Sequence, residues 1–369
     1  MTNGLLPEGV RDRLAPQADA AATLLRAVID AISAHGYARV QPPLVEFEDE
    51  LSGRLKSTGQ RDLFRIVDPV SARTLALRPD MTAQIGRIAT TRLAHVARPL
   101  RLGYGGQVLK LRSTQLRPER ELCQAGAELI GVDSAEAATE VVLAALEALD
   151  AAGVRGITLD LTLPNLVETL AAGPMPLAAD KIDAVRNRLD AKDAGGLVGL
   201  GAAEYLPLIA AAGPFPDALA HLRQIDATHV LEPRLAAIEA IAAAVGDRAR
   251  ITLDPTERHG FEYQSWLGFS LFGEGLNGEI GRGGSYTLIH SDGTEEPAIG
   301  FSLYLDPLVD SGAGQTEVKR VFLPLTTNPN VATRLRAEGW VTVAALSKDD
   351  DATALGCTHI LSNGAPQLL

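Results

Sequence analysis

The sequence contains little cysteine and no long apolar run, and each absence excludes a class of protein. Of its 369 residues only Cys123 and Cys357 are cysteines, which excludes a disulfide-stabilised scaffold and predicts a cytoplasmic location. We expect both thiols to be buried packing residues, because neither has neighbours that would complete a metal site. No segment approaches the roughly 18 apolar residues of a membrane helix, and the start has no secretory signal pattern.

Basic charge and aromatic side chains are also scarce. The formal net charge is -12, whereas proteins that bind nucleic-acid phosphates usually present a basic surface. Aromatic residues make up only 4% of the chain, which leaves few side chains on which bases could stack. We therefore do not expect tRNA binding. The 46% of hydrophobic residues is typical of a globular protein with two or three domains.

Periodicity and turn residues predict the elements of the first half of the chain. An amphipathic helix is predicted over 18–35, followed by a strand over 37–46 that a proline pair interrupts. Residues 63–68 and 74–79 alternate around a turn and predict a hairpin. A helix over 134–152 then leads into a further strand. Strand pairs with so little helix between them favour an α+β fold with an antiparallel sheet.

The second half of the chain predicts an insertion and a separate tail. The core extends over 1–165, a helical insertion over 166–249 interrupts it, and the core resumes over 250–310. A short linker precedes a small α/β tail over 316–369. The tail is predicted to alternate strand, helix, strand, helix and strand, over residues 320–325, 331–338, 341–346, 350–355 and 359–361.

The most informative segment lies between Arg98 and Gly131, where two predicted strands flank a polar loop. It resembles motif 2 of the class II aminoacyl-tRNA synthetases, most closely that of histidyl-tRNA synthetase. In that family the first strand ends in Arg-x-Glu, which holds ATP, and the matching residues here are Lys110 and Arg112. The planar arginine fork has become a point charge, and the carboxylate has reversed its sign. The resemblance therefore implies a class II synthetase core with a degenerate nucleotide site.

Two further motifs of that site depart from the family in the same way. Residues 296–307 resemble motif 3, a strand that leads into a helix, but Pro307 replaces the ATP-binding arginine and Tyr304 replaces a glycine. Residues 257–264 resemble the histidine-specific Arg-Gly-Leu-Asp-Tyr-Tyr motif, and His259 stands where the family has its catalytic arginine. Since fixed cationic donors stabilise the charge that develops on the phosphate, these changes predict that adenylation is lost.

The amino-acid side of the site is better preserved. The resemblance implies histidine-binding roles for five residues: Asp80, Thr82, Gln124, Glu128 and Tyr263. Carboxylate and amide oxygens suit the ammonium and imidazole N–H groups of histidine, because every required partner is an acceptor. The alternative for Glu128 is a charged side chain on an edge strand that faces water.

Two further segments carry structural predictions. The resemblance places Pro43, and with it Pro42, in motif 1 at the family's dimer interface, which implies a homodimer; the alternative is an ordinary loop proline. Residues 281–286 resemble the family's Gly-Gly-Arg-Tyr segment. We interpret them as a tight turn between strands rather than a phosphate-binding loop, because glycines permit positive φ.

The motifs occur in the family's order over about residues 5–309, with the helical insertion in the expected gap. The chain most closely resembles the histidyl-tRNA-synthetase-like regulatory subunits of ATP phosphoribosyltransferase. This resemblance implies a subunit without enzyme activity, cofactor or metal, which partners the short-form catalytic subunit and mediates feedback by L-histidine at the first step of histidine biosynthesis. The alternatives are a catalytic histidyl-tRNA synthetase with drifted motifs and a synthetase paralogue with another regulatory role.

Overall fold

The computed structural model describes residues 5–51, 63–112, 118–258 and 264–369. The helices are α1 (Gln17–Ala34), α2 (Glu48–Leu51), α3 (Thr82–Thr90), α4 (Ala135–Ala151), α5 (Leu166–Ala171), α6 (Ala179–Asp190), α7 (Ala194–Gly199), α8 (Pro207–Ala210), α9 (Phe215–Ile225), α10 (Glu232–Val245), α11 (Asp306–Asp310) and α12 (Pro329–Ala337). The strands are β1 (Ala38–Arg39), β2 (Val45–Phe47), β3 (Arg65–Val67), β4 (Thr74–Leu77), β5 (Leu100–Leu109), β6 (Glu121–Ile130), β7 (Thr158–Thr162), β8 (Gly213–Pro214), β9 (Arg250–Leu253), β10 (Gln264–Phe272), β11 (Gly281–Ile289), β12 (Glu295–Tyr304), β13 (Arg320–Leu323), β14 (Val341–Ala344), β15 (His359–Ser362) and β16 (Ala365–Leu368).

A central sheet organises the first of two compact units, Met1–Gly314. Within the described residues it has nine strands, in the order β1-β5-β6-β12-β11-β10-β7-β9-β8. Neighbouring strands are antiparallel except for the pairs β1/β5 and β7/β9, which are parallel. The predicted α+β fold with a largely antiparallel sheet is confirmed.

Alternation along β6 separates the two faces of this sheet. Cys123, Ala125, Ala127 and Leu129 are buried in the core that α1 and α4 share with the sheet. The intervening residues face the opposite side, where Ile85 and Ala89 of α3, with Met81 just before the helix, cover the sheet. Because successive side chains of a strand point to opposite faces, polar residues at even positions can line a site beside α3 without disturbing the main core.

Both long helices of the main core lie close to their predicted bounds. In α1, Leu24, Val28 and Ile32 recur every fourth residue and are almost completely buried, so they form the stripe that packs on the sheet. In α4, the Ser134 side chain accepts a hydrogen bond from the Ala137 N–H at 3.2 Å and caps the helix.

Two predicted elements of this unit require correction. Residues 37–46 do not form one strand, because Pro42 and Pro43 have no N–H for a ladder; only β1 and β2 form at the ends of the segment. The segment predicted as a helical insertion over 166–249 contains six α-helices, but it also contributes β8, which pairs with β9. The hairpin predicted from residues 63–79 is present as β3 and β4.

The second compact unit, Gln315–Leu369, has a four-stranded sheet in the order β14-β13-β15-β16. The helix predicted over 350–355 is wrong. The Asp350 carboxylate accepts hydrogen bonds from two preceding backbone N–H groups, Leu346 at 2.6 Å and Ser347 at 2.9 Å, and thus favours turns over helix. Among all the described residues, no helix is both long and apolar enough to cross a membrane.

Candidate functional site

A network of hydrogen bonds connects β6 to the start of α3. The amide nitrogen of Gln124 donates to Asp80 Oδ2 at 2.6 Å and to Ser302 Oγ at 2.7 Å, while its oxygen accepts the Met81 N–H at 3.0 Å. The other oxygen of Asp80 accepts the Thr82 N–H at 2.7 Å. The structure therefore brings three of the predicted residues together, and the helix start fixes the Asp80 carboxylate.

Glu128 lies four residues further along β6, on the same face. Its side chain is 1% exposed, and β6 lies between β5 and β12, so the edge-strand alternative is wrong. Two phenols donate to the carboxylate, Tyr104 at 3.0 Å and Tyr286 at 2.8 Å. The pKa of Glu128 is nevertheless raised to about 8, because burial and, less strongly, the nearby Asp80 carboxylate outweigh these two hydrogen bonds.

Sequence reasoning missed three side chains of this network: Tyr104, Tyr286 and Ser302. The Tyr104 hydroxyl also lies 3.0 Å from the Ser302 hydroxyl. Gly126 makes room for this phenol, because a Cβ there would lie 2.7 Å from the hydroxyl oxygen. In the sequence, Gly126 lies midway between Gln124 and Glu128 on one face of the strand. That pattern could have indicated that a side chain from a neighbouring strand occupies the space above the glycine.

The glycine-rich segment 281–286 lies inside β11, between β10 and β12, so its prediction as a tight turn is wrong. The glycines permit close approach within the sheet. A Cβ at Gly283 would overlap the Phe269 ring, and one at Gly284 would lie 2.5 Å from the amide carbon of Gln264. Glycine is needed here for space across the sheet face rather than for a reversal of the chain.

These side chains surround a small cavity on the α3 face of the sheet. Its volume is about 20 Å³, which is room for one or two water molecules and not for an amino acid. The walls are polar and aromatic, and the floor is glycine. The residues that line it are Asp80, Thr82, Glu128, Gln264, Arg282, Gly283, Gly284, Tyr286, Gly300, Phe301, Ser302 and Tyr304.

The two motif 2 positions lie at the end of β5. The ammonium group of Lys110 is 5.1 Å from the centre of the Tyr304 ring, a cation–π distance. The backbone N–H of Lys110 donates to the Arg120 carbonyl at 2.8 Å, which ties the two ends of the motif 2 loop together. Arg112 is exposed. Pro307 lies in the first turn of α11, where a proline is tolerated because that N–H has no helical acceptor.

Residues 8–13, which we name the N-terminal strap, join the motif 2 and motif 3 segments. Arg13 forms a 2.6 Å ion pair with Asp306, whose other oxygen accepts the Cys123 N–H at 2.8 Å. Burial raises the pKa of Asp306, against this N–H and the Arg13 charge. Arg11 pairs with Asp310 at 2.6 Å, closer to solvent. The aspartates at the two ends of α11 thus bind arginines of the chain itself.

His259 and Tyr263 lie outside the described residues. Arg258, the residue before His259, is held by α6. Its backbone N–H donates to Asp190 at 2.9 Å, and its guanidinium donates to Asn187 at 3.2 Å. In the part of the chain that the structure describes, no group of three or more His, Cys, Asp or Glu side chains has the arrangement of a metal site.

Known proteins similar to this chain point to one family. The model of the histidyl-tRNA synthetase family matches residues 9–308. Over 373 residues the chain is 42% identical to the ATP phosphoribosyltransferase regulatory subunit of Rhodospirillum centenum, which covers 98% of this chain and 96% of that protein. The regulatory subunit of Paramagnetospirillum magneticum is also 42% identical, over 367 residues and 97% of this chain and 96% of that protein.

Solved structures show the same fold. An ATP phosphoribosyltransferase regulatory subunit/histidyl-tRNA synthetase from Bacillus halodurans C superposes with a TM-score of 0.80 at 23% identity, over 96% of both chains. The chain therefore belongs to the family of ATP phosphoribosyltransferase regulatory subunits, and its core has the class II fold of the histidyl-tRNA synthetases.

Proposed function

We propose that this chain is a subunit without synthetase activity that binds the short-form catalytic subunit of ATP phosphoribosyltransferase and makes its activity sensitive to histidine. The observation that carries the proposal is a contrast within one site. At the motif 2 and motif 3 positions that bind ATP in the synthetases, this chain has side chains that contact one another. At the positions that bind the amino acid, it keeps a hydrogen-bonded set of acceptors beside α3.

The nucleotide side supports loss of adenylation. The Tyr304 ring, with Lys110 5.1 Å from its centre, stands where the family has a glycine. Pro307 supplies no cation. Arg258, the arginine next to the position of the family's catalytic arginine, is hydrogen-bonded to Asp190 of α6. Loss of one fixed donor to developing charge typically lowers a rate by about 10²–10³. We expect no pyrophosphate exchange dependent on histidine and ATP, and exchange at synthetase rates would refute this part of the proposal.

The amino-acid side supports histidine as the effector. Asp80, Gln124 and Glu128 provide carboxylate and amide oxygens within one hydrogen-bonded network. Burial favours the protonated form of Glu128. The positive charge of a bound ammonium or imidazolium group would instead favour the ionised form. Truncation of Glu128 to alanine should therefore cost about 1–3 kcal/mol of histidine binding, because a ligand donor loses its partner.

The cavity of about 20 Å³ implies that histidine binding requires this site to open. A ligand that binds only the open form shifts the equilibrium between the two forms, and the cost of opening lowers its apparent affinity. Such an opening is a physical route by which the ligand can bias a distant subunit. Typical coupling free energies of this kind are about 1–3 kcal/mol.

The partner assignment has support from the relatives. Those from Rhodospirillum centenum and Paramagnetospirillum magneticum are regulatory subunits of ATP phosphoribosyltransferase by name. A chain of the ATP phosphoribosyl transferase (HisG:HisZ) complex from Thermotoga maritima has the same fold, with a TM-score of 0.59 at 16% identity over 78% of this chain and 97% of that one. These observations favour assembly with a catalytic subunit over action alone.

The decisive experiment combines this chain with the short-form catalytic subunit of its own organism. We expect the mixture to turn over faster than the catalytic subunit alone, and histidine to inhibit it. Glu128→Ala should relieve the inhibition and leave most of the activation. A catalytic subunit that is fully active alone, and that does not respond to this chain, would refute the proposal.

A further inference from the structure

Gln264 contributes a buried hydrogen-bond acceptor to the cavity that no described residue satisfies. It is the first residue of β10, and its amide nitrogen donates to the Gly283 carbonyl at 2.8 Å. That bond fixes the orientation of the amide, since a carbonyl accepts only from the nitrogen. The amide oxygen is buried and has no hydrogen-bond partner among the described residues.

Three glycines lie side by side between Gln264 and Glu128. Gly300 pairs with Glu128, Gly284 with Gly300, and Gly268 with Gly284 across neighbouring strands. We name these three glycines the glycine row. A Cβ at Gly300 would overlap the Glu128 carboxylate, and a Cβ at Gly268 would overlap the Gln264 amide oxygen. The two side chains therefore lie over the two ends of a bare backbone floor.

A buried acceptor without a donor is unfavourable, and native structures keep few of them. Gln264 lines the same cavity as the other polar side chains of the site. A ligand bound in that cavity can therefore supply the missing donor. The opposite end of the floor presents a carboxylate that accepts from two tyrosines. The floor thus suits a flat group with a polar atom at each edge.

We propose that Gln264 is a specificity-determining residue, whose amide oxygen accepts one ring N–H of a histidine that lies over the glycine row with its other ring nitrogen towards Glu128. This inference rests on the histidine site proposed above. An aromatic amino acid without ring nitrogens would leave the buried Gln264 oxygen unpaired, so the site rejects it. Discrimination by an unpaired buried polar group is stronger than discrimination by shape alone.

Calorimetric titration of the full chain with histidine, Nτ-methylhistidine and Nπ-methylhistidine tests the inference. Methylation of the nitrogen that faces Gln264 removes the donor, so one methyl isomer should bind the wild type at least about tenfold more weakly than histidine. Gln264→Met keeps the length of the side chain and removes the acceptor. It should weaken histidine binding about tenfold and abolish the difference between histidine and that isomer. Gln264→Glu keeps an oxygen acceptor and should retain the difference.

Gln84→Met is the matched control. Like Gln264, Gln84 has a buried amide oxygen without a partner among the described residues, and its amide nitrogen donates to the Pro43 carbonyl at 2.8 Å, but it does not line the cavity. It should keep wild-type selectivity. If the wild type binds histidine and Gln264→Met shows unchanged affinity and selectivity, or if Gln264→Glu behaves like Gln264→Met, the inference is wrong and the histidine site stands. If the wild type does not bind histidine at all, both fail.

Discussion

The Glu128 carboxyl connects the stability of the chain to pH. Its folded-state pKa of about 8 lies above the ordinary value of 4.5. Between these two values the folded chain retains a proton that the unfolded chain releases. The contribution of Glu128 to the free energy of unfolding should therefore be highest below about pH 4.5. It should fall as the pH rises towards 8 and change little above that pH.

Replacement by glutamine isolates this contribution. Glu128→Gln cannot ionise, so the free energy of unfolding of the variant relative to the wild type should shift in favour of the variant by on the order of a few kcal/mol between pH 5 and pH 8. Urea denaturation at several pH values measures the shift. Parallel stability profiles for the two proteins would mean that Glu128 titrates normally.

At the same scale, sequence reasoning predicted two neighbouring side chains of the candidate site but not their hydrogen-bond partners. Gln124 and Glu128 could be assigned to one face of one strand, because spacing along a strand is fixed by its period of two. Their hydrogen bonds to Ser302 and Tyr286 depend on the register of β6, β12 and β11, which local periodicity does not specify. The small volume of the cavity was equally out of reach, since it results from the packing of all these side chains together.

Among the elements, the glycine row makes a prediction about β12. Gly300→Ala places a methyl group against the Glu128 carboxylate and 2.6 Å from the Ala127 carbonyl oxygen, so it should destabilise the chain by about 1–3 kcal/mol and displace Glu128. Gly199→Ala is the control, because a Cβ at the end of α7 meets nothing within 4 Å. Thermal denaturation of both variants measures the difference, and equal losses would contradict the argument.

The N-terminal strap offers a second matched pair. Arg13→Met removes the partner of Asp306, a side chain that is 6% exposed, and should cost on the order of 3 kcal/mol. Arg11→Met breaks a pair whose side chains are 44% and 35% exposed, and should cost less than about 1 kcal/mol. Chemical denaturation distinguishes the two. The cost of Arg13→Met should also shrink in acid, where Asp306 becomes neutral, and a cost independent of pH would argue against the ion pair.

The elements that sequence reasoning predicted wrongly or missed differ in cause. The glycine-rich segment in β11 has the composition of a turn, but its glycines allow close packing against side chains of neighbouring strands. Which side chains these are depends on the fold and cannot be seen in the local sequence. The antiparallel strand β16 was missed, although Asn363 and Gly364 have φ of 51° and 80° and form the type of two-residue turn that Asn-Gly favours. That signal was present in the sequence, whereas the packing in β11 was not.

For the whole molecule, we predict a homodimer through the motif 1 region. Its surface exposes the apolar side chains of Leu44 and Ile66, beside a groove that Pro42 and Pro43 help to form. Each copy would present the same surface to the other, as twofold symmetry requires. Light scattering should give a dimer for the wild type and a monomer for Leu44→Asp. The control is Leu346→Asp, which changes a leucine that is 90% exposed in the second unit and should remain a dimer. A wild-type monomer at micromolar concentration would refute the prediction.

The parallel pairing of β7 with β9 constrains how this architecture can be shortened in evolution or by protein engineering. Because the two strands are neighbours that run in the same direction, the chain that leaves Thr162 must return to the opposite end of the sheet before Arg250. A hairpin cannot make that connection, which needs about a dozen residues and usually a helix. Deletions between α5 and α10 should therefore be tolerated only down to one crossing helix, and a minimal version of this protein would still need that helix.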